Sequence, residues 1–287
     1  MILVTGGTGT VGRLVLEGLA AAGLEIRALV RNLEAARALD LPSVEFVAGD
    51  LADSSSIEPA LADVDCVVAI SSFNPEMARL QGNLAGAAAR CPTRPRLVKL
   101  SGMGADPNGP TLMSRLHGET ERRIVDLGLA WTFVRPALFM QNFLLMAESI
   151  RRTGSFALPA GDAAIAQVDA RDIAAVIVRA VVDIEHEGKA YDITGPEPFT
   201  YWEAAEILSA VAGRAIAYRP VSPSQYKAQL ESFGAAGWMA DALNELFALY
   251  RAGAGLATTD HIRRITSQAP RSFATFARDH AEVFRRS

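Results

Sequence analysis

The sequence has little cysteine and histidine, and these residues are widely spaced. Its two cysteines, Cys66 within an apolar run and Cys91 at the end of a predicted helix, form neither a disulfide framework nor a CxxC metal motif. His186, His261 and His280 show no spacing typical of metal ligands. We therefore expect no metal site and a protein of a reducing compartment, which favours a cytoplasmic location.

Basic clusters and long apolar runs are also missing. The formal net charge is −4 and the lysines and arginines are scattered along the chain, which argues against a nucleic-acid partner. No uninterrupted apolar stretch approaches the roughly 20 residues of a membrane-spanning helix. Residues 1–4 run into glycines without the basic region of a secretory signal. We expect a chain that binds neither nucleic acid nor membrane.

Half of the residues are hydrophobic, and over the first two-thirds of the chain they recur in an alternating pattern. Short β-branched runs alternate with longer segments of helical period, which is typical of a parallel sheet covered on both faces. The predicted strands are Ile2–Thr5, Glu25–Val30, Val44–Val47, Cys66–Ile70, Leu97–Ser101, Trp131–Val134 and Ala190–Thr194. The predicted fold class is therefore α/β, a doubly wound parallel sheet of the Rossmann type.

The alternation weakens after about residue 135, where the chain passes between two lobes. The pattern predicts a helix over Phe139–Arg152 and an extended segment over Gly154–Pro159. Further predicted helices span 203–211, 225–233, 240–250 and 272–284, separated by Gly, Pro and Ser turns. We assign residues 1–138 and 165–195 to the Rossmann domain, and residues 139–164 and 196–287 to a smaller, mostly helical lobe.

The turn after the first predicted strand reads Gly6-Gly7-Thr8-Gly9-Thr10-Val11-Gly12. Its glycines meet the dinucleotide-binding spacing and also the variant of that spacing found in short-chain dehydrogenases. The turn lies between an apolar strand and an amphipathic helix, whose amino terminus offers unpaired N–H groups and a favourable dipole to an anion. This context favours a site for the pyrophosphate of a dinucleotide over a merely flexible turn.

Arg31 ends the second predicted strand, where NAD-specific proteins usually have an acidic residue. A guanidinium binds a 2′-phosphate through two hydrogen bonds, so this residue favours NADP(H); a solvated surface arginine is the alternative. Asp50 and Leu51 follow the third strand, and Ser71 and Ser72 follow the fourth, at the same edge of the sheet. Asp50 either accepts a hydrogen bond from the adenine amino group or binds its own backbone.

Several further segments accompany the glycine turn and Arg31. They are Gly49-Asp50, Leu97 to Ser101, His117-Gly118-Glu119-Thr120-Glu121, Arg135-Pro136 followed by Met140-Gln141-Asn142, and His186 to Lys189 before Tyr191. With these segments the sequence resembles the NmrA-like family of atypical short-chain dehydrogenases/reductases over nearly its whole length, and within it the type 2 NAD(P)H:quinone oxidoreductases. The resemblance implies an NADP(H)-dependent reductase and adds Ser101 and Pro136 to the expected cofactor-binding residues.

The chain lacks the Tyr and Lys, four residues apart, with which short-chain dehydrogenases commonly protonate their substrate. The residues four positions after its tyrosines are Gly195, Ala205, Ser222, Leu230 and Ala254. His117 falls where related reductases carry a catalytic Lys, so the resemblance makes it the catalytic candidate, donating a hydrogen bond or a proton beside the nicotinamide ribose. A histidine that contacts cofactor or backbone without chemistry is the alternative.

The second lobe contributes the candidates for substrate binding. Phe139, Phe143 and Trp238 are predicted to line a pocket between the lobes that accepts an aromatic ring, and Asn142 is predicted to orient a carbonyl group. Core packing is the alternative for the three aromatic residues, and a solvent-facing position is the alternative for the amide.

Quinone reduction suits a site without a Tyr/Lys pair, because hydride addition gives a stabilised phenolate that water protonates. We therefore expect an NADPH-dependent reductase of a small-molecule substrate, a quinone or a similar small electrophile. A non-catalytic dinucleotide sensor of the NmrA type, acting through a protein partner, is the alternative from another class. A reductase of one specialised metabolite is a third. A homodimer is compatible with the sequence, as is a complex with a protein partner.

Overall fold

The computed structural model describes residues 1–285. Its strands are β1 (Ile2–Thr5), β2 (Ile26–Val30), β3 (Val44–Ala48), β4 (Cys66–Ala69), β5 (Arg96–Leu100), β6 (Trp131–Pro136), β7 (Ser155–Leu158), β8 (Ala164–Ile165), β9 (Lys189–Ile193), β10 (Phe199–Thr200) and β11 (Ala217–Pro220). Its α-helices are α1 (Thr10–Ala21), α2 (Leu33–Arg37), α3 (Ser54–Ala60), α4 (Met77–Arg90), α5 (Leu112–Asp126), α6 (Asn142–Leu145), α7 (Ala147–Thr153), α8 (Ala170–Val182), α9 (Tyr201–Ala212), α10 (Pro223–Ser232), α11 (Gly237–Arg251), α12 (His261–Thr266), α13 (Phe273–Asp279) and α14 (Ala281–Phe284).

The central sheet has seven parallel strands in the order β3-β2-β1-β4-β5-β6-β9. Each of the seven predicted strands is present, with bounds that differ from the prediction by at most two residues. The strand order reverses direction next to β1, because the chain first builds outward to β3 and then continues from the other side of β1 with β4. This is the doubly wound Rossmann arrangement, and it confirms the predicted fold class.

Helices cover both faces of this sheet because its strands carry apolar side chains on both sides. One face packs against α1 and α8, with Val15 and Ile177 fully buried between helices and sheet. The other face packs against α3, α4 and α5, with Leu84 and Ile124 in its core. The apolar stripe of α1 includes Val11, which is buried, and α1 ends before Gly23, which adopts the left-handed conformation.

The smaller lobe has its own apolar core, in which aromatic rings from several helices and two short sheets meet. β7 pairs with β11 in parallel, and β8 pairs with β10 in the antiparallel sense. α12 is an exception among the later helices, since Ile262 and Ile265 pack it against α8 in the Rossmann core. None of the helices within residues 1–285 combines the length and apolar character that a bilayer-spanning helix needs.

Two predicted helices of this lobe are shorter in the structure than in the prediction. The helix predicted over 139–152 begins only at Asn142 and is divided into α6 and α7 at Met146. Phe139 and Met140 are not helical because they lie beside Val168, whose carbonyl accepts a hydrogen bond from the Met140 amide. The helix predicted over 272–284 is likewise two helices, α13 and α14, which are separated at His280.

Candidate functional site

A cavity of about 470 Å³ opens at the carboxyl edge of the sheet, next to the reversal of strand order at β1 and β4. Ligands of doubly wound sheets collect at this position, because the loops after neighbouring strands diverge there. The cavity is lined by most of the residues that the sequence predicts for the site, namely Gly6, Thr8, Gly9, Thr10, Val11, Gly12, Arg31, Asp50, Leu51, Ser71, Ser72, Phe139 and Asn142.

The glycine turn forms the floor of the cavity and is shaped for close approach to a ligand. Gly6 has a φ of 65°, and a Cβ atom on Gly12 would lie 2.1 Å from the Gly6 carbonyl oxygen, so neither position accepts a side chain readily. The first residue before α1 is Gly9, which has no side chain to cap the helix. The amide N–H groups of the first turn are therefore left for an anion, which fits the pyrophosphate of a dinucleotide.

Arg31 lines the cavity directly after β2, which neighbours β1, and it is exposed. Its neighbour Asn32 is engaged in local structure, since its side chain accepts a hydrogen bond of 3.0 Å from the Ala35 amide at the start of α2. This helix cap fixes the backbone that carries Arg31. The guanidinium therefore projects from a fixed strand end at the cavity, where it fits a phosphate group.

Asp50 lines the cavity, and its side chain already has a backbone partner. Oδ1 of Asp50 accepts a hydrogen bond of 2.9 Å from the Ala52 amide, which is the turn-stabilising alternative raised by the sequence. Asp53 caps α3 by accepting a hydrogen bond from the Ser55 amide. The loop after β3 is therefore held by two aspartates that bind their own backbone.

Two polar side chains of α4 fix the loops on the far side of the cavity. The Gln81 amide donates a 2.7 Å hydrogen bond to Ser71 Oγ, and the Asn83 amide donates a 2.9 Å bond to the Leu51 carbonyl. Because Ser71 Oγ accepts from Gln81, its own proton is free to bond a ligand in the cavity. Sequence reasoning missed Gln81, whose position on the buried face of α4 is visible only in the structure.

His117 on α5 is paired with a lysine inside the sheet. Lys99 Nζ lies 2.9 Å from His117 Nδ1, and Lys99 is fully buried although it belongs to a central strand. Burial lowers the pKa of Lys99 to about 7. Burial and the nearby Lys99 together lower the pKa of His117 well below its usual range. Lys99 was missed as a site residue; its signal was a lysine within a strand predicted to be apolar on both faces.

The His117 ring packs against the turn that follows β5. A Cβ atom on Gly102 would lie 2.9 Å from Cδ2 and 3.3 Å from Nε2 of this ring. The Nε2 edge therefore faces the backbone at the carboxyl end of the sheet. His117 is partly exposed and does not belong to the cavity wall, whereas Leu100, the last residue of β5, does.

Ser101 and Pro136, also predicted to bind the cofactor, are buried behind the cavity wall. The Ser101 hydroxyl donates to Oε1 of Glu121, and the Pro136 carbonyl accepts a 3.0 Å hydrogen bond from the Met103 amide. Glu121 is also bound by Arg135 through two hydrogen bonds. The structure thus places Ser101 in a polar cluster that joins the ends of β5, α5 and β6.

The predicted substrate residues lie in different surroundings. Phe139 and Asn142 line the cavity on the side of the smaller lobe. Phe143 is fully buried in the aromatic core of that lobe, with its ring centroid 4.6 Å from that of Phe273, because α6 turns this side chain away from the cavity. Trp238 on α11 contacts Phe73 edge-on at 5.6 Å and is not part of the cavity wall.

Leu145 completes this wall and was not singled out in the sequence. It is 84% exposed, yet it lines the cavity next to Asn142. An apolar side chain that is open to solvent at the mouth of a cavity offers contact area to an apolar ligand. A single leucine in a short helix carries no sequence signal of its own.

Gln141 lines the cavity, but both ends of its amide are used in structure. Its Nε2 donates to Asp169 Oδ1 at 2.9 Å, and its Oε1 accepts from the Ala170 amide at 2.8 Å, at the start of α8. Burial alone would raise the pKa of Asp169, but hydrogen bonds from Arg171 and Gln141 lower it below its ordinary value. Gln141 therefore anchors the smaller lobe to the Rossmann domain.

One group of possible metal ligands lies away from this cavity, after the end of α8. Asp183, Glu185 and His186 place ligand atoms within 4.8 Å of one another. Nδ1 of His186 is already within 2.9 Å of the Tyr191 hydroxyl, and Glu185 is exposed. The group therefore combines an exposed Glu185 with a buried His186 that is held by a structural hydrogen bond, and it is separate from the cavity at β1.

Comparison with known proteins agrees with this geometry. The profile of the NmrA-like family matches residues 1–254. The sequence is 39% identical to the NAD(P)H azoreductase of Xenophilus azovorans over 288 residues, 99% of each chain. It is 30% identical to quinone oxidoreductase 2 of Escherichia coli (strain K12) over 245 residues, 85% of each chain.

The fold is similar to that of a solved relative with bound cofactor. The NADPH-dependent quinone oxidoreductase of Escherichia coli, in complex with NADPH, superimposes with a TM-score of 0.87 at 27% identity, covering 96% of this chain and 98% of that one. The family profile and the 39% identity to the azoreductase both extend over most of the sequence. The chain belongs to the NmrA-like family.

Proposed function

We propose that this chain is an NADPH-dependent oxidoreductase that reduces a small electrophile, a quinone or an azo compound. The observation that carries the proposal is the cavity itself. It has the glycine turn and Arg31 at one end, and Phe139, Asn142 and Leu145 of the smaller lobe at the other. Relatives named as an NAD(P)H azoreductase and a quinone oxidoreductase support both the cofactor and the reaction class.

The residues of the Rossmann domain fit the cofactor. The uncapped first turn of α1 binds the pyrophosphate, and Arg31 binds the 2′-phosphate that distinguishes NADPH from NADH. The Ser71 hydroxyl, held by Gln81, donates a hydrogen bond into the same cavity. When bound, the reduced nicotinamide supplies the hydride for the reaction.

The smaller lobe supplies the surface for the acceptor. Phe139 and the exposed Leu145 provide apolar contact for a planar ring, and Asn142 provides an amide that orients a carbonyl or azo group. Rate acceleration then comes mainly from holding the ring in position, because the chain has no Tyr/Lys pair four residues apart. In this proposal His117 is the proton donor for an azo acceptor, whereas water protonates the phenolate of a reduced quinone.

Turnover tests the proposal directly. The protein is mixed with NADPH and a panel of benzoquinones, naphthoquinones and azo dyes, and the absorbance of the reduced nicotinamide is followed. We expect cofactor consumption with at least one acceptor class and a marked preference for NADPH over NADH. Flat traces across the panel, with NADPH binding intact by calorimetry, would support a dinucleotide sensor acting through a protein partner instead.

A further inference from the structure

The Lys99 side chain is an unusual component of the sheet, because it is a cationic group buried without a carboxylate partner of its own. Its hydrogen-bond partners are His117 Nδ1 at 2.9 Å and the Leu100 carbonyl at 3.3 Å. Glu121, which favours the charged form of Lys99, is itself bound by Arg135 and Ser101. Burial of an ammonium without a counter-charge of its own favours the release of its proton.

The two nitrogen atoms at 2.9 Å act as one titrating unit. At most one of the two side chains can be positively charged, because two like charges at this separation in a buried site repel strongly. When the proton is on Lys99, the ammonium has only donors, so His117 Nδ1 must accept and the ring proton must be on Nε2. While Lys99 is protonated, the pair therefore carries a single positive charge and fixes one tautomer of the histidine.

Other charged groups around the pair are accounted for. From α5, Glu121 favours the charged form of Lys99, and from β6, Arg135 opposes it. Two arginines of α4, Arg79 and Arg90, are exposed and form ion pairs with glutamates at the surface. Lys99 is thus the member of this cluster whose pKa lies near neutral pH, and the lowered pKa of His117 keeps its ring neutral there.

We propose that Lys99 is a positioning residue for His117, and that the pair holds one transferable proton for the atom that becomes basic when the substrate is reduced. The inference rests on the proposed function, since it assigns the source of the proton in that same reaction. In that step the acceptor lies at the carboxyl end of β5, where Leu100 lines the cavity and the His117 ring lies beside Gly102. His117 Nε2 gives its proton to the substrate there, and His117 Nδ1 takes one from Lys99 Nζ. Both side chains end neutral, and solvent restores the proton to Lys99.

The balance of the reaction shows which substrates need this proton. In an azo group, hydride adds to one nitrogen, the π bond breaks, and its electron pair leaves a negative charge on the other nitrogen. That nitrogen takes the proton from His117 Nε2, so the product is a hydrazine with two new N–H bonds. In a quinone, the same hydride leaves a stabilised phenolate, which water protonates. The Lys99–His117 pair therefore matters more for reduction of nitrogen than of quinone oxygen.

Nuclear magnetic resonance of the free protein tests the pair without turnover. Protein with ¹⁵N-labelled histidine is compared at pH 6 with its Lys99→Met and Lys189→Met variants, and His117 is assigned from the spectrum of His117→Gln. Lys189 is an exposed lysine of β9 and serves as the control. We expect the Nε2–H tautomer of His117 in the parent and in Lys189→Met. In Lys99→Met we expect mixed tautomers and a raised pKa of His117.

Activity then tests what the pair does. Between pH 6 and 9, we expect kcat for an azo dye to fall as pH rises above about 7, the pKa of Lys99, because the transferable proton is then lost. Lys99→Met should lower kcat for the azo dye at least about tenfold and shift the fall of kcat to lower pH. The same variant should change kcat for a quinone less than about threefold. Its Kd for NADPH should be unchanged.

The outcomes separate the inference from the proposed function. A His117 tautomer and pKa that are the same in Lys99→Met as in the parent overturn the inference, even if NADPH is consumed. Equal losses for azo dye and quinone in Lys99→Met, with an unchanged pH profile, also overturn it. Failure of the parent protein to oxidise NADPH with any acceptor overturns the proposed function, whereas the resonance result still reports on the pair.

Discussion

Arg135 on β6 binds Glu121 on α5 through two hydrogen bonds, and the carboxylate of this pair is almost completely buried. The side chain of Ser101 at the end of β5 donates to the same carboxylate. The hydrogen bonds that Arg135 donates to Glu121 raise the pKa of Arg135, so the guanidinium stays charged. This cluster therefore joins β5, α5 and β6, the three elements around the Lys99–His117 pair.

Breaking this ion pair should strongly destabilise the protein. Glu121→Gln keeps the size of the side chain but leaves Arg135 without its counter-charge, so we expect a loss of about 3 kcal/mol in the free energy of unfolding. Urea denaturation followed by circular dichroism measures this loss. Glu58→Gln is the control, because Glu58 pairs with Arg90 on the exposed surface and should change stability by no more than about 0.5 kcal/mol. Equal losses in the free energy of unfolding for Glu121→Gln and Glu58→Gln would contradict a structural role of the cluster.

Arg31 should determine the preference between the two nicotinamide cofactors. Arg31→Ala removes the guanidinium that we propose binds the 2′-phosphate, so we expect affinity for NADPH to fall about 30-fold while affinity for NADH changes little. Isothermal titration calorimetry with both cofactors gives the ratio. Arg37→Ala is the control, since Arg37 lines a separate cleft outside the main cavity. An unchanged preference in Arg31→Ala would exclude Arg31 as the selecting residue.

Gly12 should be intolerant of any side chain. In Gly12→Ala the new methyl group would lie 2.1 Å from the Gly6 carbonyl, so the turn must move away from the anion and NADPH binding should be lost. The matched change is Gly86→Ala in α4, where the methyl group would meet only an arginine side chain at 3.6 Å. This control should bind NADPH normally and gain about 0.5–1 kcal/mol of stability. Calorimetry and thermal unfolding measure both effects.

The strands and the edge of the sheet that carries the cavity were predictable because their signals are local. An apolar β-branched run, a glycine turn and an amphipathic helix each define their own conformation, and their order defines the parallel sheet. The positions of Gly12 and Arg31 at the cavity follow from that order alone. His117 became a candidate only through the family resemblance, because a single histidine in a helix does not by itself indicate a catalytic role.

Contacts between segments distant in sequence were not predictable in the same way. Phe143 and Phe139 are both aromatic and four residues apart, yet one is in the core and the other lines the cavity. The difference depends on the contact of Phe139 with Val168, which delays the start of α6. The contact of Lys99 with His117 likewise requires the packing of α5 on β5, which no spacing in the sequence reveals.

Lys99 should make the stability of the protein depend on pH in an identifiable direction. Burial lowers the pKa of Lys99 to about 7 in the folded state, whereas the unfolded chain keeps the ordinary, higher value. Between these values the unfolded state binds more protons, so stability rises with pH; below about pH 7 the full cost of burying the lysine is present.

Lys99→Met removes this cost and leaves an apolar side chain of similar length in the sheet. We expect the variant to exceed the parent in free energy of unfolding by about 1–4 kcal/mol at pH 6 to 7, with the difference shrinking as pH rises toward 9.5. Urea denaturation across this range measures both curves, with Lys189→Met as the exposed control that should follow the parent. A difference that stays constant with pH would mean that Lys99 titrates in the folded protein as it does in water.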